Sequence, residues 1–280
     1  MIKRLSAVAV LSVFLAACGG GDDSASTPAN TGPAIKLTYS GAPLTQSTRK
    51  ARAMAAADPA ASSPVVSDAQ GTIAQLQEAF KARGADIGVY PGIINGTALH
   101  DIVMSENNGA APTAAEIEAA NVNISTWTLV NFQYDDMTGY IDTPEKRAMA
   151  EQFYKDIRVY AAREYIKGNV VYFARPILSC LPDKFDASGN KLLTSTLSLW
   201  SSLADLHGIG GIRPTPDQMG SDCQTPDATA QAAYVDSIVD PLVADYKVAL
   251  DTIDKCKHNP EAIPENERAA QCWGIEPDKK

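Results

Sequence analysis

A chain of 280 residues with a net charge of −9 lacks the basic surface that nucleic-acid phosphates require. Its hydrophobic fraction of 45% is that of an ordinary globular protein, which excludes a largely disordered chain. Beyond the N-terminal region about 245 residues remain, enough for one large α/β domain with its own core.

The N-terminus sets the compartment. Lys3 and Arg4 form a short basic region, and Leu5 to Ala17 follow without a charge. That run is too short for a permanent membrane span but fits the apolar core of a signal peptide over residues 1–17. Leu15-Ala16-Ala17-Cys18 resembles the lipobox of bacterial lipoproteins, in which the cysteine is acylated and cleavage falls just before it. The resemblance implies a palmitate-type anchor on Cys18 and attachment to the cell envelope. Gly19, where an Asp would retain the protein at the inner membrane, implies the outer membrane in a diderm host. Residues 18–33, rich in Gly, Ser, Thr and Pro, read as a tether that cannot bury a core.

The body alternates strand and helix signals. Ile35 to Tyr39 reads as a first strand ended by Gly41 and Pro43, and residues 50–64, rich in Ala, Ser and Pro, as a loop or loosely ordered insertion. Ile73, Leu76 and Phe80 share a helical face that stops at Gly84, and Ile87 to Tyr90 is a second strand. Leu99, Ile102 and Val103 suggest a helix, and Thr113 with Glu116 has capping-box spacing for the next. Trp127 to Phe132 is a buried strand. Thr143 and Pro144 begin a helix along which Met149, Phe153, Ile157, Tyr160 and Tyr165 keep helical spacing. Val170 to Ala174 is the clearest strand. Leu193, Leu197, Trp200 and Leu203 mark a helix, with a short strand over Ile209 to Arg213 after it. A long helix follows Asp227, with Tyr234, Ile238, Val239 and Leu242 inward and a bend expected at Pro241. Such repeated units imply a three-layer α/β/α sandwich with a mainly parallel sheet over residues 34–250, and a polar tail over 251–280 outside that core.

After Cys18 four cysteines remain. In an exported chain the even count points to disulfides, and of three possible pairings Cys180–Cys223 and Cys256–Cys272 are expected. Zinc is the rival reading, but no close CxxC or HxxxH spacing supports a metal site. No cofactor is implied.

The order of elements and four short blocks resemble the SGNH or GDSL hydrolases, serine esterases and lipases on a three-layer α/β/α fold. The resemblance runs from Ile35 to about Leu250. Gly41-Ala42-Pro43-Leu44-Thr45 stands where the family has its nucleophile turn, and Gly92 within Val89 to Thr97 where a glycine lends an oxyanion N–H. Gln133-Tyr134-Asp135-Asp136 matches the block carrying an oxyanion asparagine, and Asp222-Cys223-Gln224-Thr225-Pro226 the block carrying Asp and His. The resemblance therefore places the serine at Pro43, the asparagine at Asp135 and the histidine at Thr225. Proline has no nucleophile, threonine is no base near neutral pH, and a carboxylate at 135 opposes an oxyanion.

The remaining candidates are few. Ser40 and His207 are the fallback nucleophile and base if the register slips. His100 reads as a surface residue, His258 as part of the tail, and Asp135 with Asp136 as an acidic turn rather than a glycosidase pair. Gly208-Ile209-Gly210-Gly211 does not form a dinucleotide fingerprint. The expectation is a membrane-anchored, catalytically impaired relative that keeps the family cleft for an acylated glycan, lipid or ester polymer. The alternative is an active carboxylester hydrolase with a displaced nucleophile and base. The oligomeric state is left open.

Overall fold

The computed structural model describes residues 33–45, 69–134 and 137–278. The expected signal peptide, Cys18, the tether, the 50–64 insertion, Asp135 and Asp136 lie outside the described residues.

In chain order the described elements are β1 (Ile35–Gly41), α1 (Ala69–Ala82), β2 (Ile87–Pro91), α2 (Leu99–Ser105), α3 (Ala114–Ala119) and β3 (Thr126–Asn131). Then come α4 (Pro144–Ile166), β4 (Val170–Ala174), a two-residue hairpin of β5 (Lys184–Phe185) and β6 (Lys191–Leu192), and α5 (Ser195–Ser202). The chain ends with β7 (Gly208–Ile209), α6 (Ala228–His258) and α7 (Glu265–Gln271). Five strands form one sheet in the order β2-β1-β3-β4-β7, every pairing parallel. This doubly wound order reverses direction between β1 and β3, where open α/β sheets form a crevice at the carboxyl ends of their strands.

Strand alternation sorts the core into two layers. Ile35, Leu37 and Tyr39 of β1, with Trp127 and Leu129 of β3, face α1 and α6, whose Ile73, Leu76, Phe80, Ile238 and Leu242 cover them. Val130 and Phe173 face the other way, toward Val103 of α2, Phe153 and Ile157 of α4 and Leu199 of α5. Helices thus cover both faces. The fold is the expected three-layer α/β/α sandwich. The capping box of Thr113 with Glu116 and the cap of Thr143 on Lys146 are both present, as is the Asp227 cap of α6.

Several details differ from the expectation. On α4, Met149 and Tyr165 are 43% and 39% exposed, whereas Asp156 and Arg163 are buried with Phe153, Ile157 and Tyr160. Arg163 is buried because its guanidinium donates to the carbonyls of Val103, Glu106 and Ala110, anchoring the turn after α2. Leu193 precedes its helix and is exposed, and Leu199 takes the inward position. The strand after it is shorter than expected, at Gly208–Ile209, with one further parallel bridge between Ile177 and Ile212. The tail is not peripheral. Helix α6 continues past Lys255 to His258, and Cys256 and Ile263 are buried.

Both expected disulfides are present, Cys180–Cys223 and Cys256–Cys272. They consume the four cysteines of the body, which leaves no thiolate there for zinc.

Candidate functional site

The switch point lies between the ends of β1 and β3, and its chemistry follows from how the turn after β1 is held. Gly41 has φ +118, and a Cβ there would sit 2.4 Å from the Asn131 carbonyl carbon. Only glycine lets the two strand ends approach this closely. Asn131, fully buried at the end of β3, then gathers the turn: its Nδ2 donates to the Ala42 carbonyl at 2.8 Å and the Pro43 carbonyl at 3.4 Å. The same amide meets the Tyr39 hydroxyl at 3.1 Å, and its Oδ1 accepts from Gln133 Nε2 at 2.8 Å.

The turn's own donors are all in use. Gly41 N–H donates to the Ile93 carbonyl, Ala42 N–H to the Asn131 carbonyl, and Leu44 N–H to Thr72 Oγ1. Pro43 has no N–H to offer. Gly92, the expected oxyanion donor, gives its N–H to the Tyr39 carbonyl at 2.8 Å. The N–H groups of Gly41, Ala42, Leu44 and Gly92 are therefore turned into the fold rather than toward a developing oxyanion.

Ser40, the fallback nucleophile, is 2% exposed. Its Oγ accepts from the Ile93 N–H at 3.1 Å and shares a hydrogen bond with the Tyr160 hydroxyl. Burial, and next the negative charge of Glu164, push the Tyr160 hydroxyl up to about 12, so it stays a neutral partner at physiological pH. The fallback base is in the wrong place. Ser40 shares a row of the sheet with Val130, Phe173 and Gly208, the residue after His207. Three strand spacings of roughly 4.8 Å each put about 14 Å between the two backbones, too far for proton transfer. His207 is instead exposed, its ring 4.5 Å from that of Tyr172.

Asp222 and Thr225 are brought together, as the last block requires, but they satisfy each other. Asp222 Oδ1 accepts the backbone N–H groups of Gln224 and Thr225, and Oδ2 accepts the Thr225 hydroxyl at 2.7 Å. These bonds, led by the one from Gln224, hold the Asp222 carboxyl below the usual carboxylate range. The pair is a closed turn with no imidazole to orient.

Among the described residues the crevice is small. The residues around it, among them Ala42, Ile93, Thr97, Phe132 and Gln133, enclose about 10 Å³, the space of roughly one water. Tyr134 ends the described stretch beside it, with its ring 4.7 Å from that of Phe153.

One pair was not legible in the sequence. His100 on α2 is half-exposed, and its Nδ1 meets Oδ2 of the buried Asp156 of α4 at 2.9 Å. Gln152 Nε2 donates to the other carboxylate oxygen at 2.9 Å. A buried carboxylate orienting an imidazole whose Nε2 has no partner among the described residues is the arrangement of a general base, and no hydroxyl among those residues hydrogen-bonds it. The two residues stand 56 positions apart, so no local pattern announces them.

No family model matches the chain, and no curated protein matches it. Among solved structures it is similar to the psychrotrophic esterase EstA from Pseudoalteromonas sp., in a crystal structure inhibited by monoethylphosphonate. The two are 14% identical, with a TM-score of 0.39, over 77% of this chain and 98% of that one. At that level the likeness assigns neither family nor activity.

Proposed function

We propose that this chain is a lipid-anchored, SGNH-hydrolase-like protein of the cell envelope that binds an acylated glycan, lipid or ester polymer without cleaving it. The anchor rests on Leu15-Ala16-Ala17-Cys18 and the apolar run before it. The observation that carries the non-hydrolytic reading is the closure of the β1 turn. Its N–H groups, the Gly92 N–H and the Ser40 hydroxyl are all committed to partners inside the fold. Acyl transfer needs a nucleophile that a base can deprotonate and donors aimed at the oxyanion. Neither is free at this position.

The test is turnover of short-chain p-nitrophenyl esters by the purified chain. Background rates are expected, unchanged in Ser40→Ala and in Asp222→Ala. Robust turnover lost in Ser40→Ala would overturn the reading.

A second reading, an active carboxylester hydrolase with a displaced base, is favoured by the His100–Asp156 pair alone. It requires ester turnover that is abolished by His100→Ala and kept by Ser40→Ala.

A further inference from the structure

We propose a second, separate ligand site at the β4–β7 end of the sheet, taking a carboxylate carried on a short apolar chain. It lies away from the switch point and does not depend on whether the chain hydrolyses esters.

Four segments build it. The bridge between Ile177 and Ile212, with Leu178 N–H donating to the Ile212 carbonyl at 2.9 Å, carries the pairing of β4 and β7 past their ends. Ser179 and Arg213 follow that bridge on the two segments and both line the cavity. The Cys180–Cys223 disulfide holds the first segment to the loop after β7, and Cys180 N–H donates to the Cys223 carbonyl at 3.0 Å. Ser179 N–H donates to Thr196 Oγ1 at 3.0 Å, fixing the start of α5 against it. The β5–β6 hairpin closes the remaining side, pinned by the Tyr140 hydroxyl on the Pro182 carbonyl and by the Lys191–Asp183 ion pair at 2.7 Å.

The cavity so formed measures about 40 Å³, room for a small head group. Its apolar walls are Leu178, Leu181, Leu192 and Leu197. Its polar groups are unequal in their needs. Lys191 and Asp183 neutralise each other. Arg213 lines the cavity and has no hydrogen-bond or ion-pair partner among the described residues. Ser179 lines it too, and its buried hydroxyl makes no hydrogen bond. In a chain of net charge −9, a solvent-facing arginine with no carboxylate partner among the described residues, set beside four leucines, presents an unpaired guanidinium to an anion. The planar guanidinium fork matches a carboxylate through two parallel bonds. The Ser179 hydroxyl can donate a third, and the leucines take the chain that follows.

The experiment titrates the full chain with hexanoate, read by saturation-transfer NMR, with acetate and hexanol as companion probes. Hexanoate is expected to bind in the millimolar range or tighter. Acetate lacks the chain and hexanol the charge, and each should bind at least about tenfold more weakly, the worth of a charge-assisted bond or of two buried methylenes. Arg213→Gln, at an exposed position that leaves the fold intact, should weaken hexanoate about tenfold and leave hexanol unchanged. Ser179→Ala should weaken hexanoate by about threefold through the lost neutral bond. Absence of hexanoate binding, or binding that Arg213→Gln leaves unchanged, overturns the site. Hexanol binding as well as hexanoate would make it an apolar patch with no head-group recognition, and acetate binding as well would leave the leucines without a role; either result also overturns it.

Discussion

A Cβ placed on Gly92 would lie 2.2 Å from the Ser40 hydroxyl oxygen and 2.8 Å from Thr38 Cγ2. Gly92 is thus a packing glycine: the backbone after β2 must press against the end of β1 for Ile93 N–H to reach Ser40 and Gly92 N–H to reach the Tyr39 carbonyl. Gly92→Ala should cost about 1–3 kcal/mol through overpacking, and Ser40→Ala about 1 kcal/mol through a lost buried bond. The double variant should cost less than the sum, because removing the hydroxyl removes the worst clash. Urea denaturation of the three variants measures this, and strict additivity would refute the contact.

The buried Asp156 supports a second prediction. His100→Ala leaves its carboxylate with Gln152 alone, at a cost of about 1–3 kcal/mol for an under-satisfied buried acceptor. Asp156→Asn, which keeps hydrogen-bonding capacity, should cost less. Denaturant midpoints that do not move in His100→Ala would show the pair to be incidental.

The sheet was legible because its strands carry plain patterns: alternation in β1, with Ile35, Leu37 and Tyr39 on one face, and an unbroken apolar run from Val170 to Ala174. Caps were equally local, as with Thr143 before Pro144. What sequence reading missed is what distant segments assemble. His100 meets Asp156, Arg163 caps the carbonyls after α2, and Arg213 and Ser179 line one cavity, arrangements that no spacing encodes. The β5–β6 hairpin escaped because strands of two residues show no period. The residues Gly92, Asp222 and Thr225, aligned by resemblance, have polar groups that are consumed inside the fold, and that is a matter of geometry which no spacing encodes.

His258 makes a pH-dependent clasp on the tail. Its Nδ1 meets Asp254 at 2.9 Å and its Nε2 meets Asp278 at 3.0 Å, and these carboxylates, Asp254 foremost, hold its proton above the ordinary histidine range. A raised folded value means the contribution is fully present below the ordinary histidine value of about 6.5 and is lost as pH rises through the folded midpoint. NMR titration should place the His258 midpoint above that of a model peptide, and Asp278→Asn should bring it down. A midpoint at or below the ordinary value would show that the clasp does not form.

Cys18 carries the proposed anchor. In a bacterial host, wild-type protein should incorporate a fatty-acid analogue and partition with membranes, and Cys18→Ala should do neither. Buried acyl methylenes at about 0.8 kcal/mol each make the difference all-or-none rather than graded. Wild-type protein that takes up no label would remove lipidation from the proposal.

The two disulfides close loops of different length and should differ in worth. With sequence separations of 43 and 16, Cys180–Cys223 and Cys256–Cys272 restrict the unfolded chain by about 4 and about 3 kcal/mol respectively. Cys223 adds a second term, because its φ of 53 lies in the left-handed region that a residue with a Cβ occupies at a cost. Two ways of removing the same bond then separate the contributions. Cys180→Ala with Cys223→Ala loses the cross-link and keeps the strained conformation. Cys180→Ala with Cys223→Gly loses the cross-link but relieves the native-state strain, while giving the unfolded chain more freedom. The relief, about 1–2 kcal/mol, outweighs the added freedom of about 0.5–1 kcal/mol. The glycine variant should therefore be the more stable of the two by up to about 1 kcal/mol. If the alanine variant is the more stable, the left-handed turn at Cys223 is imposed by the disulfide and relaxes once the bond is gone.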